Sequence, residues 1–596
     1  MILQNIVFPK KEICEEPELY FRVAEGAAVQ KEGRLFLAKG AAVEFLTYFN
    51  SFSACKWQKY TCVKEVEAEV EYTGKCRVSI CRAMVKDGQL YKEFVCEATG
   101  EQGEKGNTEL SFSCDDPEWI YYISLKALED TVVHGGSYRV KQAVSPKEIN
   151  IAIGICTYRR EEYVTKTLQT LKNYILDAPE SELYGHVHVF VSDNGNTLPL
   201  NELNGTNIHV VANKNAGGAG GFGRCMLEAL RTAEEYHFTH ILLMDDDIIL
   251  EPETIFRTYQ ILALLKEKYE TYIVGGTLLR LDAPAIQHAK GEIWQDGKII
   301  SPFAGYDLRN ETDLVRNEKE NDAEYNGWWY CCIPLEKNFD SLLPMPVFIH
   351  GDDIEYGLRK KGKLILWNGI GVWHSAFENR KSSGMEYYDM RNGLMCIARH
   401  NPGCPKSTIK KMICQHMIGQ LLKFRYEDQR LTMRGVEDFC KGVEFLKTEE
   451  PVRLNQEIMS QGYKQEDVTA LLEELQMEDG SGQAEESGPY ERKAFAKKHI
   501  LTLNGWLLPG KRRCIPVPFG AHSSELYRCK KVLLFDPEAK KGFVVQRKWK
   551  QLFITLGRCI RMCRLIDRKY EDAAEDFQKH AHELTTRDFW EKYLEL

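Results

Sequence analysis

No stretch of the 596-residue chain reaches the roughly 20 consecutive apolar residues that a helix needs to cross a bilayer, which excludes a helical integral membrane protein. The region from Met1 to Tyr20 carries Lys10, Lys11 and several glutamates and has no apolar core of signal-peptide length. The protein is therefore expected to start and remain on the cytoplasmic side. An excess of positive charge is also missing: 78 Lys and Arg stand against 87 Asp and Glu, a net charge of −9. That excludes a general nucleic-acid binder, which needs a large basic field. The 19 cysteines are an odd number without regular spacing, and neither Cys331-Cys332 nor Cys559 with Cys563 completes a zinc quartet. Reduced, mostly buried thiols are expected instead. There is no internal repeat.

What is present describes a globular protein. Hydrophobic residues make up 43% and charged residues 28%, and the length implies three or four domains with sizeable cores. Residues 1–148 read as all-β. Val66, Ala68, Val70 and Tyr72 alternate with Glu65, Glu67, Glu69 and Glu71, and similar short strands recur at Cys76–Cys81, Glu109–Cys114 and Ile120–Leu125. A β-sandwich or jelly roll is expected, serving either to bind glycan or simply to pack. From Ile149 the strands become continuous apolar runs: Ile151–Cys156, His186–Ser192, Ile208–Ala212, His240–Met244 and Tyr272–Gly275. Helical stretches such as Phe222–Tyr236 and Glu253–Tyr269 separate several of them. This is an α/β domain with a mainly parallel sheet, placed at 149–400. Residues 401–596 read as mostly helical, with an acidic, Gly- and Ser-rich flexible linker at 476–490. Within them Arg547–Lys569 is a basic amphipathic helix, with Trp549, Leu552, Phe553, Leu556, Ile560 and Cys563 on one face.

The strongest chemical signal is Asp245-Asp246-Asp247 after the apolar strand Ile241–Met244. Adjacent ionised carboxylates repel one another in a cleft unless a cation sits among them. In an extended segment Asp245 and Asp247 point the same way and share one ion, and hard oxygen ligands favour Mg²⁺ or Mn²⁺. A solvated acidic loop is the plain alternative. The second signal is Asn215-Ala-Gly-Gly-Ala-Gly-Gly-Phe-Gly-Arg224, between a strand and a helix, where glycines let backbone N–H groups approach an anion. Gly218, Gly220 and Gly223 satisfy a dinucleotide fingerprint with Asp245 downstream, so an NAD-dependent oxidoreductase is a rival. Two further carboxylates beside a metal-free pyrophosphate, and a glycine run after the third strand rather than the first, argue against it. The third signal is Gly351-Asp352-Asp353 before an apparent helix, which suits a base kept ionised by the helix dipole, although N-capping explains one Asp. His374, after the strand Leu364–Trp373, is a candidate third metal ligand. Trp328-Trp329 offer flat faces for sugar rings, or form a core aromatic pair.

Together these residues resemble an inverting family 2 glycosyltransferase of the GT-A fold. The segments "NAGGAGGFGR", "MDDDIILEPE", "YNGWW", "DDIEYGLR" and "WH" stand in the order of the galactan-polymerising galactofuranosyltransferases of actinobacterial cell walls. That resemblance is specific over about residues 150–400 and looser at both ends. It implies that Asp245, Asp247 and His374 bind Mn²⁺ or Mg²⁺, and that Asp353 is the catalytic base with Asp352 beside it. Arg160, Asp193, Gly217, Gly218 and Asp246 would then contact the UDP of UDP-galactofuranose, Glu292 a sugar, and Trp328 and Trp329 the acceptor. It also implies a lipid-linked or surface glycan acceptor and a homo-oligomer. The pattern of the Arg547–Lys569 helix suits peripheral contact with the inner face of the membrane, or else packing of its apolar face into the helical domain or an oligomer interface. A transferase of another nucleotide sugar, or a non-catalytic glycan-binding protein, are the alternatives. One departure stands out: Gly351 occupies the position where the family pattern carries Trp before the paired Asp residues.

Overall fold

The alternating glutamates of Glu65–Gly74 face outward and the residues between them form a core. Val66, Ala68, Val70 and Tyr72 are buried, and the one buried acid, Glu69, is ion-paired with Arg139. The computed structural model describes residues 1–596 except 101–102, 115, 117, 296, 338, 340–341, 376–381, 476–497, 500, 517–520 and 538. The linker expected at 476–490 lies outside the described residues.

The N-terminal strands make two antiparallel sheets. One orders Ala28–Lys31, Arg34–Leu37, Thr131–Val140, Glu65–Gly74 and Gly103–Ser113, with Ile2–Asn5 also on Thr131–Val140. The other orders Arg22–Glu25, Ala42–Glu44, Ile120–Ala127, Cys76–Lys86 and Gln89–Thr99. Their facing residues share one core, with Phe112 of the first stacked at 4.7 Å on Tyr121 of the second.

The continuous apolar runs become a nine-stranded sheet ordered Ile208–Ala212, Val187–Asp193, Ile151–Thr157, His240–Asp245, Cys331–Pro334, Ile273–Arg280, Leu364–His374 and Ile249–Leu250, with Gln287–Ala289 off Ile273–Arg280. The first four strands are parallel. Cys331–Pro334 is antiparallel to both neighbours, so the sheet is mixed rather than mainly parallel. Four apolar residues are too few to reveal a direction in sequence. Register places Cys156 beside Asp245, and Thr157 beside Asp193, so polar side chains collect at the carboxyl ends of the central strands, where open α/β sheets bind ligands.

The C-terminal part is helical, as expected, but it also holds a four-stranded sheet of Glu466–Asp467, Lys541–Gln546, Cys529–Asp536 and Lys511–Ile515. Lys511, Arg512, Lys530 and Lys531 break the apolar alternation of its strands and hid them. The expected basic helix spans Lys550–His580 and buries a stripe of Thr555, Cys559, Met562, Ile566, Tyr570 and Phe577. The face expected to be its apolar side is the outer one: Phe553 is 72% exposed and Leu556 54%. No helix among the described residues is long and apolar enough to cross a membrane, and all 19 cysteines are free thiols.

The chain closes with the helix Arg587–Tyr593, whose Trp590 is fully buried and donates its indole N–H to the Pro344 carbonyl at 2.9 Å. Its ring lies over Gly220 and Gly223, where an added Cβ would meet it at 3.7 and 3.5 Å. Trp590→Ala is expected to remove about 3–5 kcal/mol of stability, the usual cost of a large aromatic truncated in a core. A lower urea midpoint measures this, and an unchanged midpoint would mean the helix does not hold the central domain.

Candidate active site

Asp245 ends its strand, and Asp246 and Asp247 fold into the turn that follows. The extended alternation expected there stops at Asp245, yet the turn still brings Asp245 and Asp247 to one space. Ligand atoms of Asp245, Asp247 and His374 lie within 4.8 Å of one another. His374 ends the long strand Leu364–His374, with Nε2 3.2 Å from Asp247 Oδ1. Its Nδ1 donates to the Ser375 carbonyl at 2.5 Å, which aims Nε2 at the acids. Asp246 turns the other way, accepting from Thr157 Oγ1 at 2.7 Å and Arg160 Nη1 at 3.0 Å. The same Arg160 nitrogen donates to Asp247 Oδ2 at 2.9 Å.

Burial pushes the Asp245 carboxyl up to about 7; His374 opposes this, while Asp247 and Asp246 add to it. Asp246 is also raised, chiefly by burial, with Arg160 and Thr157 opposing. Two carboxylates and an imidazole held this closely, at a cost in ionisation that a cation removes, fit a divalent metal ion.

The second carboxylate pair opens the helix Asp352–Arg359, after Gly351 in the left-handed region at φ +87°. Asp353 Oδ1 accepts the Ile354 N–H at 2.7 Å. Burial raises Asp352 to about 6. Asp353 rises to about 8 through burial, then through Asp352 and Glu292. Glu292 is buried, accepts from Ser301 Oγ at 2.6 Å and has a raised pKa, chiefly from burial. The half-buried Cys156 thiol lies near both carboxylate groups: its pKa is raised chiefly by desolvation, then by Cys225, with Asp246, Asp245 and Asp352 adding to the rise.

The glycine run starts the helix Gly217–Arg231. Gly217 has φ +71°, and a Cβ there would lie 2.0 Å from the Phe348 carbonyl oxygen. At Gly221 a Cβ would lie 2.0 Å from Cys156 Sγ. The N–H of Gly217 is bonded to Asn215 Oδ1 at 3.0 Å, and that of Ala219 to the Phe348 carbonyl at 3.2 Å. The run thus brings the helix against the segment that carries Asp352 and Asp353, and the expected anion cradle at Gly217 is already used by protein. Gly218 lies beside Asp352, where an added Cβ would stand 3.6 Å from Oδ2.

Two expectations are corrected by the geometry. Asp193 does not face the site: its carboxylate accepts the N–H groups of Gly195, Thr197 and Leu198 at 3.0, 2.8 and 2.8 Å and shapes its own loop. Trp328 and Trp329 are 4% and 7% exposed, so neither presents an open stacking face. Trp328 packs edge-on against Phe222 and Tyr356, and Trp329 donates to the Gly276 carbonyl at 2.8 Å. They lead into the inserted strand Cys331–Pro334, whose two sides need apolar filling. The hydroxyls of Thr157 and Ser301, which donate to Asp246 and Glu292, have roles that sequence does not reveal, because an isolated hydroxyl carries no spacing signal.

Comparison with known proteins gives two family matches, "Galactofuranosyltransferase 2 N-terminal" over residues 3–138 and "Glycosyltransferase like family 2" over residues 146–362. The chain is 27% identical over 479 residues to galactofuranosyltransferase GlfT2 of Mycobacterium tuberculosis, covering 75% of this chain and 73% of that protein. It is 29% identical over 436 residues to galactofuranosyltransferase GlfT2 of Mycolicibacterium smegmatis, covering 68% of this chain and 65% of that protein.

Asp247→Asn and His374→Ala are each expected to abolish tight Mn²⁺ binding in isothermal titration while leaving the circular dichroism unchanged. Asp246→Asn, which removes a bond to Arg160 rather than a ligand, is expected to keep most of it. Wild-type Mn²⁺ affinity in both ligand variants would overturn the site.

Proposed function

We propose that this chain, which belongs to the galactofuranosyltransferase group of the family 2 glycosyltransferases, transfers galactofuranose from UDP-galactofuranose to a glycan acceptor with inversion. The observation that carries this reading is the meeting of two carboxylate groups of different kind. Asp245, Asp247 and His374 suit a metal, and Asp352 and Asp353 open a helix across Cys156 from them. The reading includes a GT-A fold for residues 149–400, a β-sandwich or jelly roll for 1–148 and a C-terminal region at 401–596.

Asp245, Asp247 and His374 would hold Mn²⁺ or Mg²⁺, which when bound would supply Lewis-acid charge to the donor diphosphate. Arg160, joined to Asp246 and Asp247 and 40% exposed, stands where a phosphate oxygen can reach it. Asp353 takes the proton of the acceptor hydroxyl on Oδ2, its Oδ1 being held by the Ile354 N–H. The acceptor oxygen then bonds to the anomeric carbon as the bond to UDP breaks, through an oxocarbenium-like state. Glu292, close enough to raise the Asp353 pKa, binds a sugar hydroxyl. A donor with another sugar shares the metal and base arguments, so the choice of sugar rests on the relatives.

The acceptor is proposed to be lipid-linked and the enzyme a homo-oligomer at the inner face of the membrane. Supporting membrane contact, the helix Lys550–His580 exposes Phe553, Leu556 and Ile560 and has no acid before Asp567. An interfacial helix of this pattern binds by apolar burial and attraction to anionic lipid. Sedimentation with anionic vesicles is expected for the wild type and lost in Phe553→Asp with Leu556→Asp; equal sedimentation of both would remove the membrane role.

With a panel of nucleotide sugars and mass spectrometry of products, UDP-galactofuranose is expected to outcompete UDP-galactopyranose. Asp353→Asn is expected to lower kcat by about 10²–10⁴, the usual loss for a general base, with UDP affinity retained. Preferential transfer from a pyranose donor would reassign the sugar, and a near-normal Asp353→Asn would reassign the base.

A further inference from the structure

The helices Lys550–His580 and Tyr426–Phe439 leave an open cleft between them. It has a volume of about 460 Å³ and takes Arg558 and Arg561 from the first helix and Arg430 from the second, with Glu437 the one acid in its lining. Ile554 and Met433 supply apolar wall. Gly557 keeps the cleft open, since a Cβ added there would meet nothing within 4 Å. Guanidinium groups gathered in this way repel one another unless an anion lies among them. Arg430 pairs with Glu427 at 2.9 Å and Arg561 with Glu437 at 2.7 Å, but both arginines are exposed, so these pairs are weak and can open to another anion. Arg558 is half-buried and has no carboxylate partner among the described residues. Its Nη1 donates to the Tyr426 carbonyl at 3.1 Å and to Gln429 Oε1 at 2.8 Å, both neutral acceptors.

The cleft adjoins apolar surface. Helical spacing puts Ile554, Gly557, Arg558 and Arg561 on one strip of the long helix, and Phe553, Leu556 and Ile560 on the next. The second strip is exposed, and the helix carries no acid from Lys550 to Ile566. A soluble anion would use only the arginines, whereas a phosphate that carries acyl chains uses both strips. We propose that Arg430, Arg558 and Arg561 bind the phosphate of an anionic lipid headgroup, while Phe553, Leu556 and Ile560 enter the acyl region beside it. This rests on the membrane contact proposed above and adds to it a site for one chemical group.

The electrostatics agree with the geometry. Burial, then Arg430, lower the Arg558 pKa, with Glu427 opposing, so a bound phosphate relieves both desolvation and like-charge repulsion. A guanidinium offers parallel N–H donors to two phosphate oxygens, which an ammonium cannot copy. With Nη1 of Arg558 held by Tyr426 and Gln429, its fork is fixed in orientation at the cleft. A basic field on an apolar helix acts through charge alone. A built site also needs the fork and the open space at Gly557, and that difference can be measured.

The test is co-sedimentation of the full-length protein with vesicles of phosphatidylcholine alone and of phosphatidylcholine with phosphatidylglycerol. Wild type is expected to prefer the second. Arg558→Gln is expected to weaken that binding about tenfold, the usual weight of a charge-assisted bond. Arg558→Lys keeps the charge and is expected to weaken it nearly as much. Gly557→Leu adds apolar surface but fills the cleft, and is expected to weaken binding while its thermal midpoint stays at or above wild type, since leucine favours helix over glycine. Full rescue by Arg558→Lys, or stronger binding in Gly557→Leu, would mean that an apolar helix with a basic field suffices, and would overturn the site. Isothermal titration with glycerol 3-phosphate separates the two sources of phosphate. Binding that Arg558→Gln removes, with vesicle binding unchanged, would give the cleft to a soluble anion and overturn the lipid assignment. Wild type that sediments with neither vesicle overturns the membrane contact itself, whereas the earlier failures leave that contact standing.

Discussion

The fold is organised around the cost of burying carboxyl groups together. Asp245, Asp246, Asp247, Glu292, Asp352 and Asp353 converge beside a central sheet, and desolvation raises the pKa of Asp245, Asp246, Glu292, Asp352 and Asp353. Unpaired buried charge of this kind is among the most destabilising features a protein can carry. Each group is compensated differently. Asp246 takes Arg160 and Thr157, Asp247 takes Arg160 and His374, and Asp353 takes the backbone N–H at its own helix start. At Asp245 burial outweighs the opposing charges of His374 and Arg160, and a divalent cation would remove that remaining cost. The same arrangement that is poor for stability is thus suited to holding an ion and a base a short distance apart.

Close backbone approach makes that convergence possible. The helix that starts at Gly217 touches the Phe348 carbonyl, and Gly221 admits the Cys156 thiol, so the strand bearing Thr157 and the segment bearing Asp352 share one small space. On its far side the helix offers Gly220 and Gly223 to Trp590, near the end of the chain. A glycine run read as an anion cradle is therefore largely a packing device, and its positions are set by three different neighbours.

This explains what could be read from sequence. Asp245, Asp247 and His374, which the structure brings together, could be picked out because their residue types restrict chemistry even when the last two stand 127 positions apart. The strands of the central sheet were legible because burial on both faces demands continuous apolar runs. Asp193, Trp328 and Trp329 were assigned to ligands because polar and aromatic residues near strand ends have two uses, and only coordinates show that Asp193 caps its own loop and that the two indoles are closed over. The helix Lys550–His580 carries apolar residues on two sides, and only its partner helices decide that the stripe of Cys559, Met562 and Ile566 is buried while Phe553 and Leu556 stay exposed. The C-terminal sheet stayed hidden because its strands are short and carry lysine and arginine among their apolar residues.

The N-terminal sheets follow from the same constraint. His374 ends a strand whose other residues need a wall, and that wall is N-terminal: Tyr48 donates to the Ile370 carbonyl at 3.0 Å, and Phe49 packs on Trp373 with ring centres 5.6 Å apart. Lys56 reaches the Leu366 carbonyl and pairs with Glu318 at 3.6 Å, and Glu318 lies 3.8 Å from Lys290. Lys290 stands two residues before Glu292 and is bound to the Asn317 carbonyl and Asn368 Oδ1 at 2.6 and 2.8 Å. Burial lowers its pKa to about 7, with Glu318 opposing. A charged network this deeply buried contributes little net stability, but it is intolerant of rearrangement, since removing one partner strands the others. It ties the N-terminal region to the strand of His374 on one side and to the segment of Glu292 on the other. Packing of this kind gives the sheets a structural role: they help to set the angle at which His374 and Glu292 enter the same site.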